Sequence, residues 1–147
     1  MAISDFTITI LVDQTPKEVF NAINNVRDWW QGDIIGETKS LHDEFTYRMK
    51  DIHFSKQKVK EMVPFEKIVW QVTDSNLSFT KDPSEWTGTE IVFEVSGGND
   101  FTLLNFTHSG LVPEIECYGG CSGAWEQLIH KSLLSLITTG KGTNIFG

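Results

Sequence analysis

Residues 121–137, CSGAWEQLIHKSLLSLI, decide the fold because their apolar side chains recur at intervals of three and four residues. This spacing places one apolar stripe along a long amphipathic helix, which we expect to end at Gly140. A stripe of this length has to be buried against another large element, and the rest of the chain must supply it. The stripe consists of Cys121, Ala124, Trp125, Leu128, Ile129, Leu133, Leu136 and Ile137.

The chain opens with one strand and two short helices. Residues 6–12 alternate apolar and polar side chains, which predicts a β-strand with one buried face. Thr15 is placed to cap a helix, because Pro16 suits the first helical position and Glu18 completes a capping box. We expect a second short helix over residues 26–30, after which the chain turns.

Residues 43–106 predict successive antiparallel strands, because short apolar alternations restart after each turn. Lysines occupy one parity of residues 54–62, so we interpret that strand as partly solvated or as an edge of the sheet. We expect strands at 44–49, 54–62, 68–72, 89–95 and 101–108, a hairpin connection at 97–100 and an ambiguous segment at 74–85.

This element order predicts an α+β fold in which a curved antiparallel sheet wraps around the C-terminal helix. A chain of 147 residues builds one hydrophobic core, so we expect a single domain over residues 1–147. A twisted sheet around a helix leaves a wedge between the two, and the short helices close one end of it. We therefore expect a pocket in this wedge.

The predicted pocket is lined by side chains on the inward parity of the strands and on the inner face of the helix. Most of these side chains are bulky and apolar, which favours a hydrophobic small molecule as ligand. The same aromatic rings are able to fill the space themselves, so a pocket and a filled core stay open as alternatives. The candidate ligand-binding residues are Tyr47, Met49, Trp70, Phe93, Phe106, His108, Tyr118, Trp125 and Ile129.

Composition and charge disfavour several classes of function. The 12 Lys+Arg and 20 Asp+Glu give a net charge of −8, which disfavours binding to nucleic acid. No apolar run approaches the roughly 20 residues of a membrane helix, and the N-terminus does not resemble a signal peptide. We therefore expect a cytoplasmic protein. Without a P-loop, a dinucleotide fingerprint or zinc-ligand spacing, we predict no cofactor, no metal and no catalytic residue.

A few residues could still carry chemistry. His108 could orient a ligand or transfer a proton, and the alternative is a histidine that is hydrogen-bonded at a strand end. Cys117 and Cys121 are spaced wider than a redox Cys-x-x-Cys pair, so we expect buried packing. Trp29, Trp30 and Trp86 form either a ligand-gating lip or a cover over the core. We expect solvated positions for His42, His53, His130, Asp82, Glu85, Glu114, Glu116 and Glu126.

Several motifs, spread over nearly the whole chain, resemble the START-like (SRPBCC) superfamily. Their combination is similar to the branch named after the activator of the heat-shock chaperone ATPase. The resemblance implies a helix-grip (START-like, Bet v-like) fold with a cavity, but 147 residues leave no room for the further N-terminal domain of the full activator. The motifs are the strand Phe6-Thr7-Ile8 followed by Thr15-Pro16-Lys17-Glu18-Val19-Phe20-Asn21-Ala22-Ile23, Trp29-Trp30, Phe45-Thr46-Tyr47, Val59-Lys60-Glu61 followed by Pro64, Trp86-Thr87-Gly88-Thr89, Leu104-Asn105-Phe106-Thr107-His108-Ser109-Gly110-Leu111 and Gly123-Ala124-Trp125.

Three functions are compatible with these patterns. The first is binding of a small hydrophobic or amphipathic molecule, lipid-like or polycyclic, between the sheet and the C-terminal helix, with the protein a monomer or a homodimer. The second is a cyclase or hydrolase that uses His108 together with a carboxylate such as Glu116. The third is a module that contacts a chaperone through its acidic surface.

Overall fold

The computed structural model describes residues 5–30, 32–97 and 100–143, and within them seven strands form one antiparallel sheet in the order β1-β7-β6-β5-β4-β3-β2. This architecture confirms the α+β helix-grip fold predicted from the sequence. The strands are β1 (Phe6–Val12), β2 (Asp33–Gly36), β3 (Glu44–Met49), β4 (His53–Val63), β5 (Lys67–Leu77), β6 (Glu90–Gly97) and β7 (Thr102–Ser109). The helices are α1 (Pro16–Asn24), α2 (Val26–Trp29), α3 (Tyr118–Gln127), a π-helical segment (Leu128–Leu133) and α4 (Leu134–Thr139).

The predicted capping box at the start of α1 is confirmed. The backbone N–H of Glu18 donates to Oγ1 of Thr15 at 3.2 Å, and the backbone N–H of Thr15 donates to Oε1 of Glu18 at 3.5 Å. Two N–H groups that the helix leaves unpaired thereby gain partners. The same helix buries Phe20 and Ile23, which packs its apolar face onto the core.

Of the two interpretations of residues 54–62, the partly solvated strand is confirmed and the edge strand is wrong, because β4 pairs with β3 on one side and with β5 on the other. Its lysines lie on the outer face of the sheet, and Lys60 forms an ion pair with Glu90. Charged residues at alternate positions of a strand therefore indicate which face of the sheet is solvent-exposed. They do not indicate which strand lies at the edge of the sheet. The edges are β1 and β2, and β2, which has only four residues, was not predicted from the sequence.

The connections around β5 and β6 differ from the prediction in detail. β5 extends to Leu77 and therefore includes the first part of the ambiguous segment 74–85. It carries a bulge where its register with β4 shifts. The remaining residues of that segment, 78–85, belong to a loop that spans residues 78–89. Of the predicted hairpin connection at 97–100, Gly98 and Asn99 lie outside the described residues.

The C-terminal helix runs from α3 through the π-helical segment into α4 and ends at Gly140, whose left-handed φ of 86° matches the predicted stop. Within the π-helical segment, Oγ of Ser132 donates to the carbonyl oxygen of Trp29 at 2.7 Å and ties the helix to α2. Spacing of three and four residues does not reveal this wider turn. Among the described residues, no helix is long and apolar enough to cross a membrane.

Aromatic rings fill the middle of the wedge between the sheet and the C-terminal helix. The ring centroids of Trp70 and Phe93 lie 5.0 Å apart, those of Phe93 and Phe106 lie 5.3 Å apart, and those of Phe106 and Trp125 lie 4.8 Å apart. These side chains are almost completely buried, and Ile129 on the helix is buried beside them. The core at this depth is therefore solid.

We expect Phe93→Ala to lower the free energy of unfolding by about 3–5 kcal/mol, because it opens a void among close-packed rings. The matched control is Phe101→Ala, whose ring is 49% exposed and whose loss should change stability by at most about 0.5 kcal/mol. Urea denaturation of both variants measures the difference. Equal losses would show that the rings do not pack as described.

Candidate functional site

A cavity of about 370 Å³ opens at one end of the wedge, where the β3–β4 turn, the loop 78–89 and the start of α3 meet. The exposed side chains of Ile52 and Phe79 lie at its mouth. Other depressions of the protein surface have charged linings that include Arg48 and Asp74. The cavity is lined by Trp30, Tyr47, Met49, Lys50, Ile52, His53, Phe79, Trp86, Gly120, Cys121, Ala124, Trp125 and Leu128.

The cavity exists because the first turns of α3 carry small side chains. Gly120, Cys121 and Ala124 face the space, and a Cβ added at Gly120 would meet no atom within 4 Å. One turn further along, Trp125 and Leu128 are large enough to close the gap against the sheet. The open end and the filled middle of the wedge thus follow from side-chain size along one helix.

The structure brings some of the predicted ligand-binding residues to the cavity and leaves others away from it. Tyr47, Met49 and Trp125 line the space. Tyr118 packs its ring edge-to-face on Phe6 of β1, with centroids 6.3 Å apart. The predicted residues that lie in the filled core and not in the lining are Trp70, Phe93, Phe106, His108 and Ile129.

One histidine, His53, occupies a position different from the one that its sequence context suggests. The surface position expected for His53 is wrong, because its half-buried ring lines the cavity, although His42 and His130 are exposed as expected. Ser55 and Gln57 follow His53 on the inner face of β4, and both are buried. Because His53, Ser55 and Gln57 occupy alternate positions of one strand, their side chains share a face, and this alternation could have predicted the inward position of His53.

The tryptophans in the connections cover the core and do not form an exposed lip. Trp29, Trp30 and Trp86 are all buried, and two of them, Trp30 and Trp86, also wall the cavity. The rings of Trp30 and Tyr47 stack with their centroids 4.1 Å apart. Burial raises the pKa of the Tyr47 hydroxyl, and a hydrogen bond with Trp30 opposes this shift.

His108 is fixed by a chain of hydrogen bonds. The indole N–H of Trp125 donates to its Nδ1 at 3.0 Å, so a neutral ring carries its proton on Nε2. Nε2 lies 2.8 Å from Oγ1 of Thr89, which in turn donates to the carbonyl oxygen of Trp86 at 2.6 Å. Both ring nitrogens are therefore occupied within the protein.

Burial keeps both inner histidines neutral. It lowers the pKa of His108 to about 3, with a smaller contribution from nearby His53, and it lowers the pKa of His53 to about 4. A second proton on His108 would also face the N–H of Trp125, which needs an acceptor. His108 is consequently a structural acceptor and donor, and not an acid–base group near neutral pH.

The start of α3 is held to the loop 78–89 by a carboxylate. Glu85 is half-buried instead of solvated, and its oxygens accept the backbone N–H groups of Glu116 and Cys117, both at 3.0 Å. Oε1 of Glu116 in turn accepts the backbone N–H of Lys81 at 3.0 Å. A carboxylate at a helix N-terminus is favoured by the helix dipole, so these contacts fix one wall of the cavity.

The two cysteines are free and buried, as expected. A hydrogen bond from the thiol of Cys121 lowers the pKa of Cys117, and the same interaction, with burial, raises the pKa of Cys121. In the described ranges no group of three or more His, Cys, Asp or Glu side chains is arranged to hold a metal ion. The chemistry of the cavity wall is therefore apolar contact with a few hydrogen-bond donors.

Comparison with known proteins identifies relatives in structure only. No family profile matches the chain, and no curated protein matches it in sequence. The solution structure of the Aha1 dimer from Colwellia psychrerythraea is 23% identical, covers 95% of this chain and 100% of its own, and has a TM-score of 0.77.

Two further structures share the fold at lower identity. DynU16, a protein of the dynemicin biosynthetic locus, is 16% identical over 97% of this chain and 51% of its own, with a TM-score of 0.65. CalU16 from Micromonospora echinospora is 16% identical over 91% of this chain and 76% of its own, with a TM-score of 0.63. These likenesses confirm the helix-grip fold that the resemblance implied.

We expect the ¹⁵N resonances of the His108 ring to show the neutral Nε2–H tautomer, unchanged between about pH 7 and about pH 5, because its pKa lies near 3. The unfolded chain binds this proton near pH 6.5, so the stability due to neutral His108 is complete above that pH and declines as the pH falls toward 3. Protonation of the folded ring near pH 6 would contradict the hydrogen-bond chain.

Proposed function

We propose that this protein binds a small apolar or amphipathic molecule in the cavity at the start of α3. The observation that carries the proposal is an apolar cavity of about 370 Å³, walled by aromatic rings and open at Ile52 and Phe79. Ligand sites in proteins are typically concave, mostly apolar and about 300–1,000 Å³ in volume. Burial of apolar surface, worth roughly 25 cal/mol per Å², would drive binding.

The size of the cavity favours a compact ring system over a lipid. Its volume lies near the lower end of the range for ligand sites, which suits a polycyclic molecule better than a molecule with two acyl chains. The flat walls of the cavity also favour a ring system, because the stacked rings of Trp30 and Tyr47 present extended aromatic surface. Among the described residues that line this cavity, Lys50 is the one with a charged side chain, and it lies on the exposed turn after β3.

The enzyme hypothesis loses its proposed catalytic group. His108 has both ring nitrogens occupied, and it does not line the cavity. Glu116, the suggested partner, is engaged with the backbone of Lys81. A general acid or base has to reach the substrate with a proton to exchange, and neither group meets that requirement in this arrangement.

Contact with a chaperone is the second candidate. Its supports are the likeness to the Aha1 structure from Colwellia psychrerythraea and the net charge of −8, which suits a basic partner surface. That structure is of a dimer, so we include a homodimer beside the monomer among the expected states. For either function we propose that this single domain acts in the cytoplasm.

The dependence of affinity on salt concentration distinguishes the two candidate functions. High salt weakens a contact between charged surfaces and leaves the binding of an apolar molecule intact.

We expect Ala124→Phe to abolish binding of the hydrocarbon fluorene, because the new ring occupies the cavity from the helix side. The control is Gln127→Phe, which adds the same ring at an exposed position of α3 and should leave the affinity unchanged. Quenching of tryptophan fluorescence measures both affinities. If the unmodified protein does not bind fluorene, or if Ala124→Phe binds it equally well, the proposal is wrong.

A further inference from the structure

The two cysteines of the chain lie one helical turn apart at the start of α3. Cys117 is the N-cap residue, and the backbone N–H of Cys121 donates to its carbonyl oxygen at 2.7 Å. Residues four apart in a helix have neighbouring side chains. Both thiols are buried and hydrogen-bonded to each other. Cys117 and Cys121, the thiol pair, thus form a cluster of two sulfurs that the proposed binding function does not require.

The surroundings of the thiol pair make its two sulfurs chemically unequal. Hydrogen bonds from Cys121 and from the indole N–H of Trp86 lower the pKa of Cys117, although burial and the carboxylate of Glu85 oppose this shift. For Cys121, the hydrogen bond with Cys117 and burial raise the pKa. The thiolate is the nucleophilic form of cysteine. Cys117 is therefore the nucleophile of the pair, and Cys121 stays a thiol beside it.

The cavity gives small molecules access to the thiol pair. Cys121 lines the cavity together with Trp86, which is hydrogen-bonded to both thiols. The cysteines themselves are almost closed to solvent, with 2% of Cys117 and 5% of Cys121 exposed. A reagent that reaches the sulfurs through this apolar space has to be small and uncharged. These conditions favour a hydroperoxide as oxidant over a bulky, charged disulfide.

We propose that the thiol pair is an oxidative modification site, at which a hydroperoxide converts Cys117 and Cys121 into an intrachain disulfide. First, the thiolate of Cys117 attacks one peroxide oxygen and the O–O bond breaks, which gives a sulfenic acid. The leaving oxygen takes up the proton that the thiol had released, and departs as water or an alcohol. Second, the sulfur of Cys121 attacks the sulfenic sulfur and loses its proton, so that the S–S bond forms and water leaves.

Formation of this disulfide has to reshape the first turn of α3. Cβ atoms four residues apart in a helix are separated by about 5–6 Å, whereas a disulfide holds them at about 3.5–4.5 Å. Gly119 and Gly120 lie between the two cysteines with open space around both, so the backbone has freedom to adjust there. Because Gly120 and Cys121 line the cavity, oxidation changes the cavity wall.

The test exposes the folded protein to hydrogen peroxide and identifies the products by mass spectrometry of the intact chain and of its peptides. We expect the unmodified protein to lose two hydrogen atoms and to form the Cys117–Cys121 disulfide. Cys121→Ser should instead gain oxygen at Cys117, because no second thiol is left. The matched control is Cys117→Ser, in which Cys121 should react at least about tenfold more slowly, since burial still disfavours its thiolate.

The possible outcomes decide the proposal in either direction. It is refuted if the disulfide joins two chains, if oxygen is gained first at Cys121, or if both thiols stay reduced under peroxide that oxidises the same chain in urea. Oxidised glutathione is the size control, and equally fast disulfide formation with it would refute access through the cavity. Should a serine variant fail to fold, the products of the unmodified protein decide. Fluorene binding to the reduced protein tests the proposed function separately.

Discussion

The packing of aromatic rings between the curved sheet and the C-terminal helix is the interaction on which the rest of the structure depends. Trp70, Phe93 and Phe106 fill the middle of the wedge and leave no space there. Where α3 begins, the small side chains of Gly120 and Ala124 leave the same wedge open, and aromatic rings wall the space without filling it. The filled core and the pocket, alternatives on sequence alone, both occur at different depths.

The buried polar side chains are also divided between the filled core and the cavity. His108 lies on the filled side, where it connects Trp125 to Thr89 and helps to fix the ring that faces the cavity. Burial without solvent keeps it neutral, so its contribution is to rigidity and not to proton transfer. Trp86 lies at the boundary between the two regions, where its buried ring packs against His108 of the filled core and against His53 of the cavity wall.

Periodicity predicted much of the fold and only part of the site. Alternation placed β1, and the three-and-four spacing placed the C-terminal helix and its stop at Gly140, because both patterns are local. The order of strands in the sheet is not local, so the sequence left open an edge position for the lysine-rich β4, although β2 occupies that edge. The alternation along a strand identifies the residues that point inward. Whether such a residue lies in the filled core or at the cavity depends on the size of the helix side chain opposite, and the sequence of the strand does not contain that information.

A crystal structure of the protein under xenon pressure tests the central claim most directly, because xenon enters dry apolar cavities and is visible by its scattering. The account predicts xenon between Met49, Trp86 and Ala124, and none among the rings around Phe93. A structure in which side chains fill the space at α3, and in which xenon finds no site there, would contradict it.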